Sequence, residues 1–137
     1  METLTATKTA TEIIQQAFAN FAVGNIEGIL NECTNDAVWT TWDNTVLPYA
    51  KTFNGKAGIA EFFSLLASTL DYTAFEPKEF YAMDNKVFAK VYQAATVKTT
   101  GKSYAHDCLF EFTFKNGKMC RFFAYVDTAD QVKAFTK

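Results

Sequence analysis

The dipeptide Asn116-Gly117 constrains this chain most, because alternating apolar runs flank it on both sides between Ala105 and Asp127. Both central residues of a two-residue type I′ turn need positive φ, which Asn and Gly tolerate, so the sequence predicts a β-hairpin. Directly opposed residues share a face of a sheet. Counting outward from the turn, the predicted pairs are Lys115 with Lys118, Phe114 with Met119, Phe112 with Arg121, Phe110 with Phe123, Cys108 with Tyr125, and His106 with Asp127.

This register brings the single histidine of the chain, His106, beside Asp127. A histidine oriented by a carboxylate is suited to general acid or base catalysis, so these two are the candidate catalytic residues. The alternative is that Asp127 caps the C-terminal helix while His106 fills a polar corner. Capping and pairing are compatible, because a carboxylate has two oxygens.

Composition indicates one globular domain over residues 1–137, in which residues 1–8 form a flexible tail. The 14 phenylalanines either pack a bulky core or line an apolar cavity. A net charge of −2 without a basic cluster argues against nucleic-acid binding, which depends on Lys and Arg contacts to phosphate. No run is long enough to span a bilayer, and the first residues do not resemble a signal peptide, so we expect a cytoplasmic protein without membrane contact.

The three cysteines, Cys33, Cys108 and Cys120, are odd in number and widely spaced. We therefore expect reduced thiols that pack as small apolar residues, with no disulfide and no metal site. A reactive Cys108 is the alternative interpretation, since it shares the predicted face of His106.

Apolar periodicity and turn residues predict four helices and five strands. In chain order these are a helix from Thr11 to Gly24, a helix at Ile26–Cys33 capped by Asn25, a turn at Asn35-Asp36, a strand at Ala37–Trp42, a loop at Asp43–Asn54, a helix at Lys56–Leu70, a strand at Lys78–Met83, a strand at Lys86–Thr99, the hairpin strands, and a helix at Thr128–Phe135.

Turns at Asp84-Asn85 and Thr100-Gly101 extend the hairpin into a meander, in which Lys90 faces both Glu79 and Glu111 on the outer side. The predicted buried face comprises Phe80, Ala82, Val87, Ala89, Val91, Gln93, Ala95, His106, Cys108, Phe110, Phe112, Phe123, Tyr125 and Asp127. Small and polar residues among the aromatic ones favour a sheet that curls around a cavity. A β-bulge would shift part of this register by one residue and reverse the face.

Three segments together resemble a known family: FANFAVGNIEGILNECTNDAVW at 18–39, FNGKAGIAEFFSLL at 53–66, and FEFTFKNGKMCRFFAYVDTADQV at 110–132. Their order and spacing are similar to the SnoaL-like polyketide cyclase and ketosteroid-isomerase-like branch of the nuclear transport factor 2-like superfamily. The resemblance implies an α+β fold, in which a cone-shaped, curved mixed β-sheet wraps around the N-terminal helices and a pocket lies at the open end. It also implies a homodimer through the outer sheet face.

The resemblance does not decide the activity, because this fold hosts isomerases, dehydratases, cyclases, epoxide hydrolases and non-catalytic binding modules. In ketosteroid isomerase an aspartate base acts with a tyrosine and a protonated aspartate. The corresponding positions here are Thr41, Ala17 and Phe110, so we do not expect that activity. SnoaL-like cyclases use an aspartate near the sheet end, a role that Asp127 or Asp107 would fill.

The remaining candidate residues are proposed ligand contacts. Trp39 would lie against a flat hydrophobic ligand, with Thr41 beside it and Asp43 at the pocket mouth; ordinary strand packing with a solvated Asp43 is the alternative. Gln93 and Tyr125 would hydrogen-bond a ligand carbonyl, or else satisfy backbone groups. Cys108 would contact the ligand from the His106 face.

Three functions follow from these expectations. The first is an enzyme that uses no cofactor, such as an isomerase, a cyclase or a dehydratase-like lyase, acting on a hydrophobic carbonyl compound. The second is a ligand-binding module with the same pocket, and the third is a protein–protein adaptor using Tyr81, Phe88, Tyr92 and Phe122. A catalyst requires His106 and Asp127 paired at a cavity, a binder requires the cavity alone, and an adaptor requires a filled cone.

Overall fold

The computed structural model describes residues 9–137, so the predicted flexible tail lies outside the described residues. Within them, the elements are α1 (Ala10–Ala22), α2 (Ile26–Leu30), β1 (Cys33–Thr41), β2 (Phe53–Asn54), α3 (Gly55–Thr69), β3 (Leu70–Met83), β4 (Lys86–Val97), β5 (Ser103–Lys115), β6 (Lys118–Tyr125) and α4 (Thr128–Phe135).

The predicted fold class is confirmed, because the helices pack against a curved, unclosed mixed sheet of strand order β2-β1-β6-β5-β4-β3. Strand β1 runs parallel to β6, and the other neighbours are antiparallel. Buried apolar residues from α1, α3 and the inner sheet face form one core cluster. The parallel β1–β6 pair matters for function, since it brings the end of β1 beside the end of the C-terminal hairpin.

Helix boundaries follow local capping. Helix α1 begins at a capping box in which the Thr9 hydroxyl accepts from the Glu12 backbone N–H and the Glu12 carboxylate accepts from the Thr9 N–H. Helix α2 begins where the Asn25 side chain accepts from the Gly28 N–H, as predicted. It ends at Leu30 rather than at Cys33, because the chain already enters β1 there.

Three strand predictions were wrong in extent. The predicted turn at Asn35-Asp36 lies inside β1, at an irregularity of its pairing with β6. The short strand β2 was predicted as loop. Strand β3 begins at Leu70 rather than Lys78, and two register shifts interrupt its alternation. Because periodicity is the main sequence signal for a strand, bulged strands are difficult to recognise.

The register of the meander is partly as predicted. Glu79 faces Lys90, which confirms the first turn. Lys90 faces Leu109 rather than Glu111, because the connection between β4 and β5 is longer than a two-residue turn and the Gly101 N–H donates to the Val97 carbonyl. The shift is two residues, so the inner face of β4 and β5 is preserved.

A β-bulge in the C-terminal hairpin overturns the rest of its predicted register. The pairs next to Asn116-Gly117 are correct, since Lys115 faces Lys118 and Phe114 faces Met119. Between Thr113 and Phe114 the register shifts by one residue.

The bulge reverses the face of β6. Phe122 and Ala124 are therefore buried, whereas Phe123 is only partly buried and Tyr125 is 38% exposed. Phe122 was predicted on the outer face and Tyr125 on the inner one, so both assignments were wrong. The predicted opposition of His106 and Asp127 fails for the same reason.

Among the described residues, no helix is both long enough and apolar enough to cross a membrane.

Candidate functional site

A cavity of about 100 Å³ lies between the helices and the inner face of the sheet. Its wall is mainly aromatic, with rings contributed by α1, β1, α3, β5 and β6: Phe18, Trp39, Phe62, Phe110 and Phe122. The rings pack edge-to-face or offset; for example, the centroids of Trp39 and Phe122 are 4.5 Å apart. The phenylalanine-rich interior is therefore not completely filled.

The cavity wall is uncharged at neutral pH. Among the described residues, no carboxylate, imidazole, ammonium or guanidinium group lines it. Besides the indole groups of Trp39 and Trp42, its polar side chains are hydroxyls and amides, namely Thr40, Thr41, Tyr49, Tyr72, Gln93, Tyr104, Thr128 and Gln131. These groups donate or accept hydrogen bonds without carrying charge.

The three tyrosines of the wall stay protonated. Burial raises the pKa of Tyr104 to about 12, although hydrogen bonding with Tyr49 and Tyr72 acts in the opposite direction. Burial, with a smaller contribution from the neighbouring Tyr104, raises the pKa of Tyr49 and of Tyr72 well above the ordinary phenol value. Neutral phenols are hydrogen-bonding groups rather than bases.

Behind this wall lies a histidine–carboxylate pair that the sequence analysis did not predict. Nδ1 of His106 is 2.9 Å from Oδ2 of Asp130, and the His106 side chain is only 8% exposed. The same Asp130 oxygen accepts from the Ala105 backbone N–H at 3.3 Å. The His106 ring also stacks on Tyr104, with centroids 5.2 Å apart, so its orientation is fixed on two sides.

The second ring nitrogen of His106 connects this pair to the cavity wall. Nε2 lies 3.4 Å from Nε2 of Gln93 and 3.3 Å from Nε2 of Gln131. The side-chain oxygen of Gln131 accepts from the Tyr49 hydroxyl at 2.6 Å. A polar chain therefore runs from Asp130, through His106 and Gln131, to Tyr49 at the cavity.

Asp127 caps α4 instead of contacting His106. Its carboxylate accepts from the Asp130 backbone N–H at 3.0 Å, which is the capping alternative considered from the sequence. The bulge in β5 and β6 displaces Asp127 from the predicted position, and Asp130, one helical turn later, meets His106. The sequence indicates only that Asp127, the N-cap, and Asp130 and Gln131 in the first turn of α4 lie together at the start of one helix; it does not indicate which of them meets His106.

Trp39, Thr41 and Gln93, three of the predicted ligand contacts, line the cavity. The Thr41 hydroxyl donates to the Ala124 carbonyl at 2.7 Å, which ties the end of β1 to β6. Nε1 of Trp39 is buried and has no hydrogen-bond partner in the described part of the chain. Of these three residues, Gln93 alone contacts the histidine.

The other three predicted contacts lie away from the cavity. Asp43 is exposed in the loop after β1. The Tyr125 hydroxyl donates to Glu111 at 2.8 Å on the outer side of the sheet. Cys108 is buried, its thiol donates to the Val91 carbonyl at 3.4 Å, and burial raises its pKa to about 12. A protonated, enclosed thiol contradicts the alternative of a reactive Cys108.

Within residues 9–137, no group of three or more His, Cys, Asp and Glu side chains is arranged to hold a metal ion.

A family model described as SnoaL-like domain matches residues 14–122. Among solved structures, an NTF2-like protein from Burkholderia xenovorans has 24% identity and a TM-score of 0.85, over 96% of this chain and 100% of its own. An NTF2-like protein of unknown function from Burkholderia pseudomallei has 19% identity and a TM-score of 0.85, over 93% of this chain and 97% of its own.

A structure of TerC co-crystallized with polyporic acid has 24% identity and a TM-score of 0.81, over 91% of this chain and 96% of its own. At these identities the shared feature is the fold. No curated protein sequence matches the chain. The resemblance stated from the sequence is confirmed by the family match.

Proposed function

The chain belongs to the SnoaL-like domain family, and we propose that it binds an uncharged, planar molecule the size of one aromatic ring. The observation that carries this proposal is the cavity, whose walls are aromatic and whose polar groups are all neutral. Burying a charged ligand group without a partner is costly, so this wall disfavours ions. The hydroxyl and amide groups of the wall favour a ring that carries an oxygen or nitrogen substituent.

The size of the cavity favours a small ring. An engineered apolar cavity of about 150 Å³ stays dry and binds benzene. The cavity here, at about 100 Å³, is smaller, so a single ring fits with small adjustments of the surrounding side chains. The co-crystal of TerC with polyporic acid supports the general idea, because it gives one protein of this fold a bound small molecule.

A calorimetric titration with toluene tests the proposal. Ala17 on α1 lines the cavity, and Ala17→Leu would fill part of it. Ala19 lies exposed on the same helix, so Ala19→Leu is a matched control of equal size and helix propensity. We expect wild type and Ala19→Leu to bind toluene and Ala17→Leu to lose at least about tenfold in affinity, because overpacking a cavity disfavours its ligand.

Equal toluene affinity in Ala17→Leu and Ala19→Leu would place the binding site elsewhere and contradict the proposal. A wild-type protein that binds neither toluene nor phenol would contradict it as well.

A second candidate is a cofactor-free proton-transfer enzyme, favoured by the His106–Asp130 contact of 2.9 Å. In this candidate His106 is the base, Asp130 orients it, and a wall tyrosine donates to the carbonyl oxygen. Nε2 of His106 faces Gln93 and Gln131, so one of these amides must move before the base reaches a substrate. Because catalysis requires this additional movement, ligand binding is the function that we propose first. In this candidate Asp130 takes the orienting role that was predicted for Asp127, whose carboxylate caps α4.

Deuterium exchange next to the carbonyl of cyclohexanone tests the catalytic candidate. We expect His106→Gln to abolish exchange that the wild type catalyses, and Asp127→Asn to leave most of it. An exchange rate unaffected by His106→Gln would exclude His106 as the base.

The predicted homodimer through the outer sheet face and the cytoplasmic location stay predictions. Burial of Phe122 removes one of the four residues assigned to an adaptor surface, while Tyr81 remains 52% exposed. Sedimentation at several concentrations measures the oligomeric state directly.

A further inference from the structure

We propose that the side-chain oxygen of Gln93 accepts a hydrogen bond from the ligand, so that the cavity selects ring compounds with a hydroxyl donor, such as phenols. This inference rests on the proposed function and identifies the chemical class of its ligand. It depends on an amide orientation that Asp130 fixes through His106.

Asp130 determines the tautomer of His106. A carboxylate accepts hydrogen bonds and cannot donate them, so Oδ2 of Asp130 requires a proton on Nδ1, at 2.9 Å. In the neutral imidazole the other nitrogen, Nε2, is then an acceptor. Stacking on Tyr104 holds the plane of the ring, and the contact with Asp130 fixes which edge faces the carboxylate.

The tautomer of His106 in turn determines the orientation of two amides. An accepting Nε2 calls for N–H donors, and the nearest groups are the amide nitrogens of Gln93 and Gln131, at 3.4 and 3.3 Å. The Gln131 oxygen supports this assignment independently, because it accepts from the Tyr49 hydroxyl at 2.6 Å. Both amides are therefore held with nitrogen toward His106 and oxygen away from it.

The side-chain oxygens of the two glutamines differ in their hydrogen-bond partners. The Gln131 oxygen is occupied by Tyr49, whereas the Gln93 oxygen has no hydrogen-bond partner among residues 9–137. Gln93 is 3% exposed and lines the cavity, and its oxygen is not among the fully enclosed unpartnered atoms. The Gln93 oxygen is therefore an amide acceptor without a protein partner in a largely aromatic cavity wall.

An open acceptor in such a site discriminates by chemistry rather than by size. A phenol hydroxyl would satisfy the Gln93 oxygen, whereas a methyl group of similar volume would leave it unpaired and desolvated. Sites built to bond a substrate hydroxyl reject the analogue that lacks it far more strongly than apolar pockets reject a size change.

Phenol and toluene form the matched pair of probes, and the readout is the ratio of their dissociation constants in calorimetry. Gln93→Met removes the acceptor at similar length and flexibility. We expect this variant to bind toluene at least as well as the wild type, and to shift the phenol-to-toluene preference toward toluene by about tenfold. Retained toluene binding also shows that the variant is folded with its cavity intact.

Two variants of Asp130 test the positioning argument. Asp130→Leu removes the acceptor that fixes Nδ1–H, so His106 can adopt the other tautomer and donate to the Gln93 oxygen; we expect the phenol preference to fall. Asp130→Asn restores an oxygen acceptor, and we expect it to recover most of the preference. Toluene affinity should change little in either variant.

An unchanged phenol-to-toluene ratio in Gln93→Met would overturn the inference while leaving the proposed function standing. If the Gln93→Met protein binds neither probe, a crystal structure of the wild type with phenol decides the question. The phenol oxygen within hydrogen-bond distance of the Gln93 oxygen supports the inference, and any other placement overturns it. If the wild type binds neither phenol nor toluene, both the proposed function and this inference are wrong.

Discussion

Burial decides which single side chains of this protein are chemically available. The thiols of Cys33 and Cys108 are enclosed, and burial raises their pKa to about 11 and about 12 respectively. Cys120 on β6 is only partly buried. The wall tyrosines are likewise held neutral, so recognition at the cavity depends on hydrogen bonds rather than on charge.

Alkylation of the native protein should therefore be selective. At mildly alkaline pH we expect iodoacetamide to modify Cys120 and to spare Cys33 and Cys108, because the thiolate is the reactive form and burial disfavours it. Peptide mass spectrometry measures each site, and the unfolded protein serves as the control in which all three react. Native modification of Cys108 as fast as that of Cys120 would contradict the assigned burial.

The charge of Glu111 on β5 makes the stability of the fold depend on pH. Hydrogen bonding from Lys86, at 2.5 Å, lowers its pKa below the ordinary 4.5; burial opposes this, and the Tyr125 hydroxyl, at 2.8 Å, also lowers it. A carboxyl whose pKa is lowered by folding stabilises the protein above its unfolded pKa, and this stabilisation is lost as the pH falls through the lowered value.

We therefore expect Glu111→Gln to lower the thermal midpoint at neutral pH, and the deficit to shrink below pH 4.5. The control is Glu61→Gln, at an exposed position on α3. Thermal unfolding followed by circular dichroism over a pH series measures both variants. If the thermal midpoint of Glu111→Gln stays equally far below that of the wild type in acid, the destabilisation comes from lost packing and not from the lost charge.

Among the elements, the C-terminal hairpin shows what a sequence can and cannot predict. Turn chemistry correctly predicted Asn116-Gly117 and the two nearest pairs, because positive φ is a local requirement that few residues meet. The bulge at Thr113 and Phe114 has no comparable local signal. Because the bulge adds one residue, Phe122 rather than the predicted Phe123 lies on the inner face, and Asp130 rather than the predicted Asp127 lies beside His106.

Neighbouring truncations on β6 test this assignment. Phe122 is 5% exposed and packs on Trp39, Phe110 and Phe112, so we expect Phe122→Ala to cost about 3–5 kcal/mol of unfolding free energy. Phe123 lies on the other face against Trp42, and Phe123→Ala should cost less than about half as much. Urea unfolding measures the free energies of both variants. A larger loss for Phe123→Ala than for Phe122→Ala would contradict the bulge and favour the register predicted from the sequence.

At the scale of the whole molecule, the order of segments was sufficient to predict the fold, but not the cavity. Helix and strand signals survive in sequence because each is local and repeated. The cavity depends on how Phe18 of α1, Phe62 of α3 and Trp39 of β1 meet, which are contacts between distant segments. Gln93 was found from the sequence because it interrupts an apolar face, whereas Gln131 and Asp130 lie on a helix whose docking no local pattern reports.

The proposed function requires that the cavity, and not the outer aromatic surface at Phe123 and Tyr125, takes the ligand. The most direct test is the set of intermolecular nuclear Overhauser effects from bound toluene to the wild-type protein. We expect contacts to the rings of Phe18 and Phe110 in the cavity wall. Contacts confined to Phe123 and Tyr125 would contradict the proposal.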